Sequence, residues 1–158
     1  MTELAVIILC GPPGAGKSTI ANRLANELRN AHILSTDQLK RNVYSRILIE
    51  VGELLGKFDY LILDGTFYKK EYRDKVALLV GGREVVLLVH VDCPLRVCQE
   101  RNSSRESPVS SGGVYSIWKI FERPDRPDVY VDSTKIEPGE AAGLIVDTLK
   151  AKEIRCGS

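Results

Sequence analysis

Residues 10–19 read CGPPGAGKST. Gly11, Gly16, Lys17 and Ser18 satisfy the spacing G-x-x-x-x-G-K-[ST], and each residue type has a chemical reason to stand there. Glycines let the backbone turn so that successive N–H groups point inward and form an anion nest. A helix starting near Lys17 brings its positive end to the same point. The lysine reaches the β- and γ-phosphates, the Ser18 hydroxyl faces Mg²⁺, and Thr19 meets the α-phosphate. Gly11, Pro12, Pro13, Gly14, Ala15, Gly16, Lys17, Ser18 and Thr19 together form a candidate cradle for the phosphates of ATP. The plainer alternative is a tight Gly-Pro turn with an incidental lysine. The context disfavours it: an apolar run precedes the segment and an amphipathic stretch follows.

The elements that would hold such a cradle can be read from periodicity. Residues 4–9 are a continuous apolar run, which predicts a central strand. Ile20, Leu24 and Leu28 share one face of a helix predicted over 17–29. A short strand is expected over 31–34. Asp37 is a good N-cap for a helix carrying Leu39, Val43, Ile47, Val51 and Leu54 inward. A strand over 58–63 and a helix over 71–80 follow, the latter with Tyr72, Val76, Leu79 and Val80 inward. Next come a strand over 85–91 and a helix over 94–102 with Pro94 in its first turn. Residues 103–113 are Ser-rich with Pro and Gly-Gly, and predict a mobile loop. A short helix over 115–122, a strand over 129–131 and a final helix over 138–150 complete the pattern. Ala142, Ile145, Val146 and Leu149 share one face of the last helix. Strand–helix alternation along the whole chain predicts an α/β fold: three layers, with helices on both faces of a five-stranded parallel sheet. The expected organisation is one domain over 1–152 and a short tail over 153–158.

The 158 residues suit one domain, and 44% hydrophobic with 27% charged residues is ordinary for a water-soluble globule. A net charge of +1 gives no global field to recruit nucleic acid or an anionic membrane. The longest apolar runs are too short to span a bilayer, and the N-terminus lacks a secretory pattern. A cytoplasmic protein is expected, with no membrane partner and either a monomeric or homodimeric state. Cys10, Cys93, Cys98 and Cys156 contain no C-x-x-C pair and are expected to be free thiols.

In such sheets ligands sit outside the carboxyl ends of the strands. The polar residues there are Ser35-Thr36-Asp37, Asp64-Gly65-Thr66, Asp92 and Asp132-Ser133-Thr134. Asp37 can orient or deprotonate an attacking hydroxyl, besides capping a helix. Asp64, ending the run LILD, suits a carboxylate that holds Mg²⁺ through water; the plainer role is an Asp-Gly turn. Gly65 follows where many hydrolases of this type place a water-activating glutamate. Asp92 is at least as well explained as a cap for the helix at Pro94. His32 and His90 lie in apolar strands and read as structural. Arg101 and Arg105 flank the Ser-rich loop, where guanidinium groups on a closing lid would meet the charge of a phosphoryl-transfer transition state. Arg41 and Arg73 stand one turn into their helices and would clamp an anionic substrate, or else are surface charges.

These segments resemble the small P-loop kinases of the adenylylsulfate-kinase and seryl-tRNA-kinase group over almost the full length of the chain. GPPGAGKST matches the group's phosphate loop, and STDQLKR is similar to its Asp-Asn-x-Arg substrate element, on which Asp37 and Arg41 fall. ILDGTFYKKEYR places Asp64 and Arg73 at the group's acidic and basic third-strand positions. VDCPLRVCQERN and FERPDRPDVYVDST are similar to the stretches before and after the lid. Two departures are visible: Gly65-Thr66-Phe67 replaces the Ile-Ser-Pro of adenylylsulfate kinases, and the lid reads RNSSRESPVSS. The resemblance implies strand order 2-3-1-4-5, ATP and Mg²⁺ as cofactors, and adenine beside the loop over 132–135 with Arg101 and Thr134. It further implies Thr66 on the substrate side and phosphorylation of a hydroxyl on a small molecule or tRNA. The rival readings are an ATPase that drives a partner, a nucleotide-dependent RNA-binding module, and a nucleoside or nucleotide kinase.

Overall fold

Six consecutive buried side chains leave β1 (Ala5–Cys10) no face to give to water, which puts it in the middle of a sheet. The computed structural model describes residues 5–36, 41–82, 85–105 and 108–156, without the side chains of 154–156. In it β1 pairs in parallel with β3 (Tyr60–Asp64) and with β4 (Val85–Asp92). β2 (Ala31–Ser35) and β5 (Val129–Asp132) pair in parallel at the two edges. The order is β2-β3-β1-β4-β5, as the resemblance implies. The register pairs Leu9 and Ser35 with Asp64, Cys10 with His90, and Asp92 with Asp132. All five strands therefore finish at one rim, and their trailing polar residues collect there.

Helices cover both faces. Ile7, Leu9, Leu87 and Val89 pack under Ile20 and Leu24 of α1 (Lys17–Glu27) and Ala142 and Ile145 of α6 (Pro138–Cys156). Val6, Ile8, Leu61 and Leu63 pack under Ile47 and Val51 of α2 (Val43–Leu54) and Val76 and Val80 of α3 (Lys70–Val80). Truncating any of the fully buried leucines or isoleucines among these to alanine would cost about 2–5 kcal/mol. α4 (Leu95–Ser103) and α5 (Ser111–Ile120) pack on each other beyond the sheet's rim.

Several expectations need correction. α2 starts at Val43, after Asn42 in the left-handed region at φ 50°, and not at Asp37. Asp37 and Leu39 lie outside the described residues. Leu79 is exposed, because the inward stripe of α3 is Arg73, Val76 and Val80. α5 starts at Ser111 and not at Tyr115: the Ser110 hydroxyl caps it by accepting from Gly113 N–H, so the Gly-Gly pair lies within the first turn. The loop before α5 is anchored. The buried Asn102 side-chain amide donates to Val109 O and accepts from Val109 N–H at 3.2 Å. α6 continues to Cys156, so residues 153–156 are helix and not a free tail. Cys93 and Cys98 are not free thiols: their sulfurs are bonded, with Cα atoms 6.2 Å apart. Helix α4 begins right after Pro94 and brings position 98 back over position 93, a closure that the C-x-x-C test misses. Cys10 is a free, buried thiol.

His90 is buried, packs on the rings of Phe121 and Tyr130 at 5.3 Å each, and has no partner for Nε2. Burial pushes its pKa down to about 4, against a smaller opposing pull from Asp92. The unfolded chain therefore binds this proton more readily than the folded one. The associated stability is fully present above pH ~6.5 and lost as pH falls towards the folded value, a change on the order of 2 kcal/mol after solvent screening. Urea melts between pH 7 and 4 should show that loss, and His90→Leu should flatten it. Alkylation of the denatured, unreduced protein should leave Cys93 and Cys98 unlabelled by mass spectrometry, and reduction should expose both.

Candidate functional site: a phosphate-binding cleft at the strand rim

The turn from β1 into α1 is shaped by what presses on its outside. A side chain at Gly11 would meet Val91 O at 2.0 Å. One at Gly14, where φ is 85°, would meet Cys98 O at 2.2 Å. Both positions therefore require glycine for close backbone approach, and Gly14 also for its left-handed conformation. Ala15 N–H closes the turn on Pro12 O at 3.1 Å. Buried Lys17 curls its ammonium back onto Gly11 O at 2.8 Å and Pro12 O at 2.9 Å. The ammonium thus spans the mouth of the turn, where an incoming phosphate competes with those carbonyls.

Ser18 Oγ donates to Asp64 Oδ2 at 2.7 Å. This brings together the two residues assigned to Mg²⁺ from sequence, one at the first turn of α1 and one at the end of β3. Two hard oxygen donors at a phosphate loop fit Mg²⁺, which keeps waters and phosphate oxygens as its remaining ligands. Among the described residues no cluster of three or more His, Cys, Asp or Glu side chains forms a dedicated metal cage.

A cleft of about 750 Å³ opens from this point. It is lined by Pro13, Gly14, Gly16, Lys17, Ser18, Thr19 and Asp64 at one end, and by Thr36, Val43, Tyr44, Gly65, Thr66, Tyr68, Arg105, Val109 and Ile117 at the other, with Arg101 also on its wall. A second cavity of about 370 Å³ lies behind Gly16 and Thr19, bounded by Ile20, Arg101, Ser133, Thr134, Ile136, Glu137 and Pro138. Arg101 joins the two cavities. Its guanidinium donates to Ala15 O at 3.3 Å, Ser133 Oγ at 2.8 Å and Ser133 O at 3.0 Å. Thr134 turns back onto Asp132 Oδ1 through its amide at 3.0 Å and its hydroxyl at 2.6 Å. These bonds hold the Asp132 carboxyl below its ordinary pKa.

Of the residues singled out from sequence, the structure gathers the phosphate-loop set, Asp64, Thr66, Arg101, Arg105 and Thr134 around these two cavities. Asp37 lies outside the described residues. Arg41 is exposed and lines neither cavity. Arg73 corrects the expectation of a substrate clamp. It is buried, donates to Phe67 O at 3.0 Å and Glu122 O at 2.7 Å, and faces the Phe121 ring. Asp92 accepts from Arg123 at 3.0 Å and Tyr130 at 2.9 Å and does not reach the cleft.

The sequence reading missed Tyr44, Tyr68, Val109 and Ile117. Phe67 explains why Tyr44 matters. This bulky residue has φ 42°, a conformation that costs about 1–3 kcal/mol. It is held there by Tyr44, whose hydroxyl accepts from Phe67 N–H at 3.0 Å, and by Arg73 on its carbonyl. Tyr44 Oη also lies 2.8 Å from Thr66 Oγ1. Burial raises the pKa of the Tyr44 phenol. A phenol is still a stronger acid than an alcohol, so we assign the Tyr44 proton to this bond, which leaves Thr66 its own proton for the cleft. The signal available in sequence was only the trio Tyr44, Tyr68 and Tyr72, whose rings interlock in space: Tyr44 stacks on Tyr72 at 3.9 Å, and Tyr68 meets Tyr72 edge-on at 5.4 Å.

Known proteins are similar to this chain in sequence and fold. An AAA domain family model matches residues 6–52, which contain the phosphate loop. A probable adenylyl-sulfate kinase from Pyrococcus abyssi is 28% identical, covering 94% of this chain and 95% of the relative. An adenylate kinase from Kosmotoga olearia is 32% identical, covering 75% of this chain and 67% of the relative. The solved structure of the Mycobacterium tuberculosis APS kinase CysC in complex with AMPPNP and APS superposes with a TM-score of 0.75. It is 18% identical over 95% of this chain and 99% of that one, which speaks for the fold. A β1–loop–α1 turn built to hold phosphate, a carboxylate from β3 beside it, the strand order and these relatives converge: the chain belongs to the P-loop kinases and is an ATP-dependent phosphotransferase.

Proposed function

We propose that the protein transfers the γ-phosphoryl group of ATP to an alcohol hydroxyl, on a small molecule or an RNA-linked group, held at the Thr66 end of the cleft. The observation that carries this reading is the continuity of the cleft. One cavity of about 750 Å³ is lined by Lys17 and Ser18 and also by Tyr44 and Thr66, which supports a triphosphate tail and a second molecule sharing it. Hydrolysis is disfavoured by Gly65. A side chain there would start 2.5 Å from Thr36 Cγ2, so the position next to Asp64 has little room for a water-activating carboxylate.

The chain's own groups divide the work between binding and positioning. Backbone N–H groups of residues 14–19 donate to the phosphate oxygens. Lys17 swings from Gly11 O and Pro12 O to the β- and γ-oxygens and neutralises charge there. Ser18 and Asp64 would hold Mg²⁺, which would supply charge compensation for the phosphate oxygens. Arg101 steadies the adenosine side from Ser133 and Thr134, and Arg105 faces the transferring group. Thr66 donates its free proton towards the acceptor. Asp37 is assigned the acceptor-orienting base on sequence grounds; its neighbour Thr36 lines the cleft. These preorganised dipoles act on the transferring group without having to reorganise.

Lys17→Ala should lower phosphoryl transfer, followed with γ-labelled ATP, by at least about 10²-fold, with the melting temperature kept close to that of the parent. Unchanged transfer would remove Lys17 from the mechanism. Asp64→Asn should leave metal-free nucleotide binding nearly intact while raising the Mg²⁺ concentration for half-maximal activity by roughly tenfold or more. An unshifted Mg²⁺ titration would place the metal elsewhere.

A further inference from the structure

We infer that Cys93 and Cys98 form a reversible thiol–disulfide site whose state sets nucleotide affinity: the bonded form holds the phosphate loop ready, and reduction by a dithiol loosens it. The inference rests on the phosphate loop as the nucleotide site and adds a control to it.

The pair lies directly behind the loop. Cys93 follows the last residue of β4, and Cys98 closes the first turn of α4. A Cβ at Gly14 would come within 2.2 Å of Cys98 O and 3.1 Å of Cys98 Cα, and Cys93 Sγ lies 3.9 Å from Gly14 O. Both bonded residues thus pack against the same residue of the loop. One turn further along α4, Arg101 donates to Ala15 O and to Ser133, on the wall shared by the two cavities. Helix α4 therefore holds the loop at two points, Gly14 from outside and Ala15 through the guanidinium.

The bond ties α4 to the sheet. Asp92, just before Cys93, pairs with Asp132, and its carbonyl accepts from Ser133 N–H at 3.0 Å. Helix α4 instead packs on α5 beyond the sheet's rim. Two thiols stand at van der Waals separation and need more room than a bonded pair. Cys98 is fully buried with its carbonyl already against Gly14, so that room comes from a shift of α4. Such a shift moves the brace behind Gly14 and the Arg101 guanidinium together. A nest of amides binds less tightly when the ligand must first order it.

Cys93 is 3% exposed and Cys98 0%, so a reductant reaches Cys93 first. It does so when α5, whose Trp118 indole donates to Cys93 O at 3.4 Å, moves aside. A thiolate of the dithiol attacks Cys93 Sγ, the S–S bond breaks, and its electron pair leaves on Cys98 Sγ, which takes a proton. The reductant's second thiolate then attacks its own mixed-disulfide sulfur. Cys93 leaves as a thiolate and is protonated, and the reductant closes its own disulfide. Two electrons and two protons pass to the protein, and oxidation by a disulfide reverses the steps. By linkage, a nucleotide that prefers the bonded form makes that form harder to reduce by the same factor.

The test equilibrates the whole protein in dithiothreitol buffers of graded reduced-to-oxidised ratio, with and without saturating MgADP. Alkylation and mass spectrometry read the thiols, and calorimetry gives the MgADP Kd at the two extremes. The reduced form should bind MgADP at least about tenfold more weakly, and MgADP should lower the midpoint potential of the pair by at least about 30 mV. Equal affinity in the two states overturns the inference, as does a midpoint that MgADP leaves unmoved or failure of the bond to re-form on reoxidation. Cys93→Ala, checked for folding by circular dichroism, should bind MgADP like the reduced parent and ignore the buffer ratio. A response that survives in this variant belongs to another thiol and overturns the assignment. If the variant does not fold, the parent's own titration decides. Failure of MgADP to bind the parent in either state overturns the nucleotide site itself, a result distinct from equal and measurable affinities.

Discussion

The site depends on one steric constraint: the turn after β1 has no room on its outer side. Val91 O crowds Gly11 and Cys98 O crowds Gly14. The loop is pinned between the end of β4 and the start of α4, and its peptide groups are left to face the cleft. An anion nest works because its amides are arranged before the ligand arrives, so that binding does not have to order them. Here the ordering comes from packing against a neighbouring element. The Cys93–Cys98 bond closes the segment whose carbonyl presses on Gly14, and α4 then delivers Arg101 to Ala15 O. Phosphate loop, brace and arginine form one mechanical unit.

The acceptor side obeys a different constraint. Phe67 is held in a backbone conformation that a bulky residue avoids, and two bonds keep it there, one from Tyr44 and one from Arg73. The strain turns the Phe67 ring into the core under α2 and α3 and leaves Thr66 at the surface of the cleft. It also explains why an arginine is buried on α3. A guanidinium has enough donors to tie the strained carbonyl to Glu122 O in the segment that follows α5. A residue that looked like a ligand for substrate is in fact what holds the strained turn at Phe67 in shape.

Between these two halves lies the segment that the composition suggested was a loose lid. Its base is not loose. Asn102 is buried and satisfies both backbone groups of Val109, and Ser110 caps α5 immediately afterwards. Val109 and Ile117 are thereby fixed against the cleft from the α4–α5 side.

The sequence by itself determined the α/β class, the succession of elements and the phosphate loop with Ser18 and Asp64. The reason is that these are local: a two-face-buried strand, a helical stripe and a glycine-lysine turn each announce themselves within a dozen residues. With the family resemblance it also determined the strand order. Tertiary structure alone decided the rest. The burial of Arg73, the bond between Cys93 and Cys98, the clamp from Asn102 and the interlocked tyrosines all depend on which elements meet across the sheet's rim. No periodicity encodes that meeting. An arginine one turn into a helix has the same sequence signature whether it reaches a ligand or a strained carbonyl, and only the packing of α3 against the Phe67 loop chooses between them.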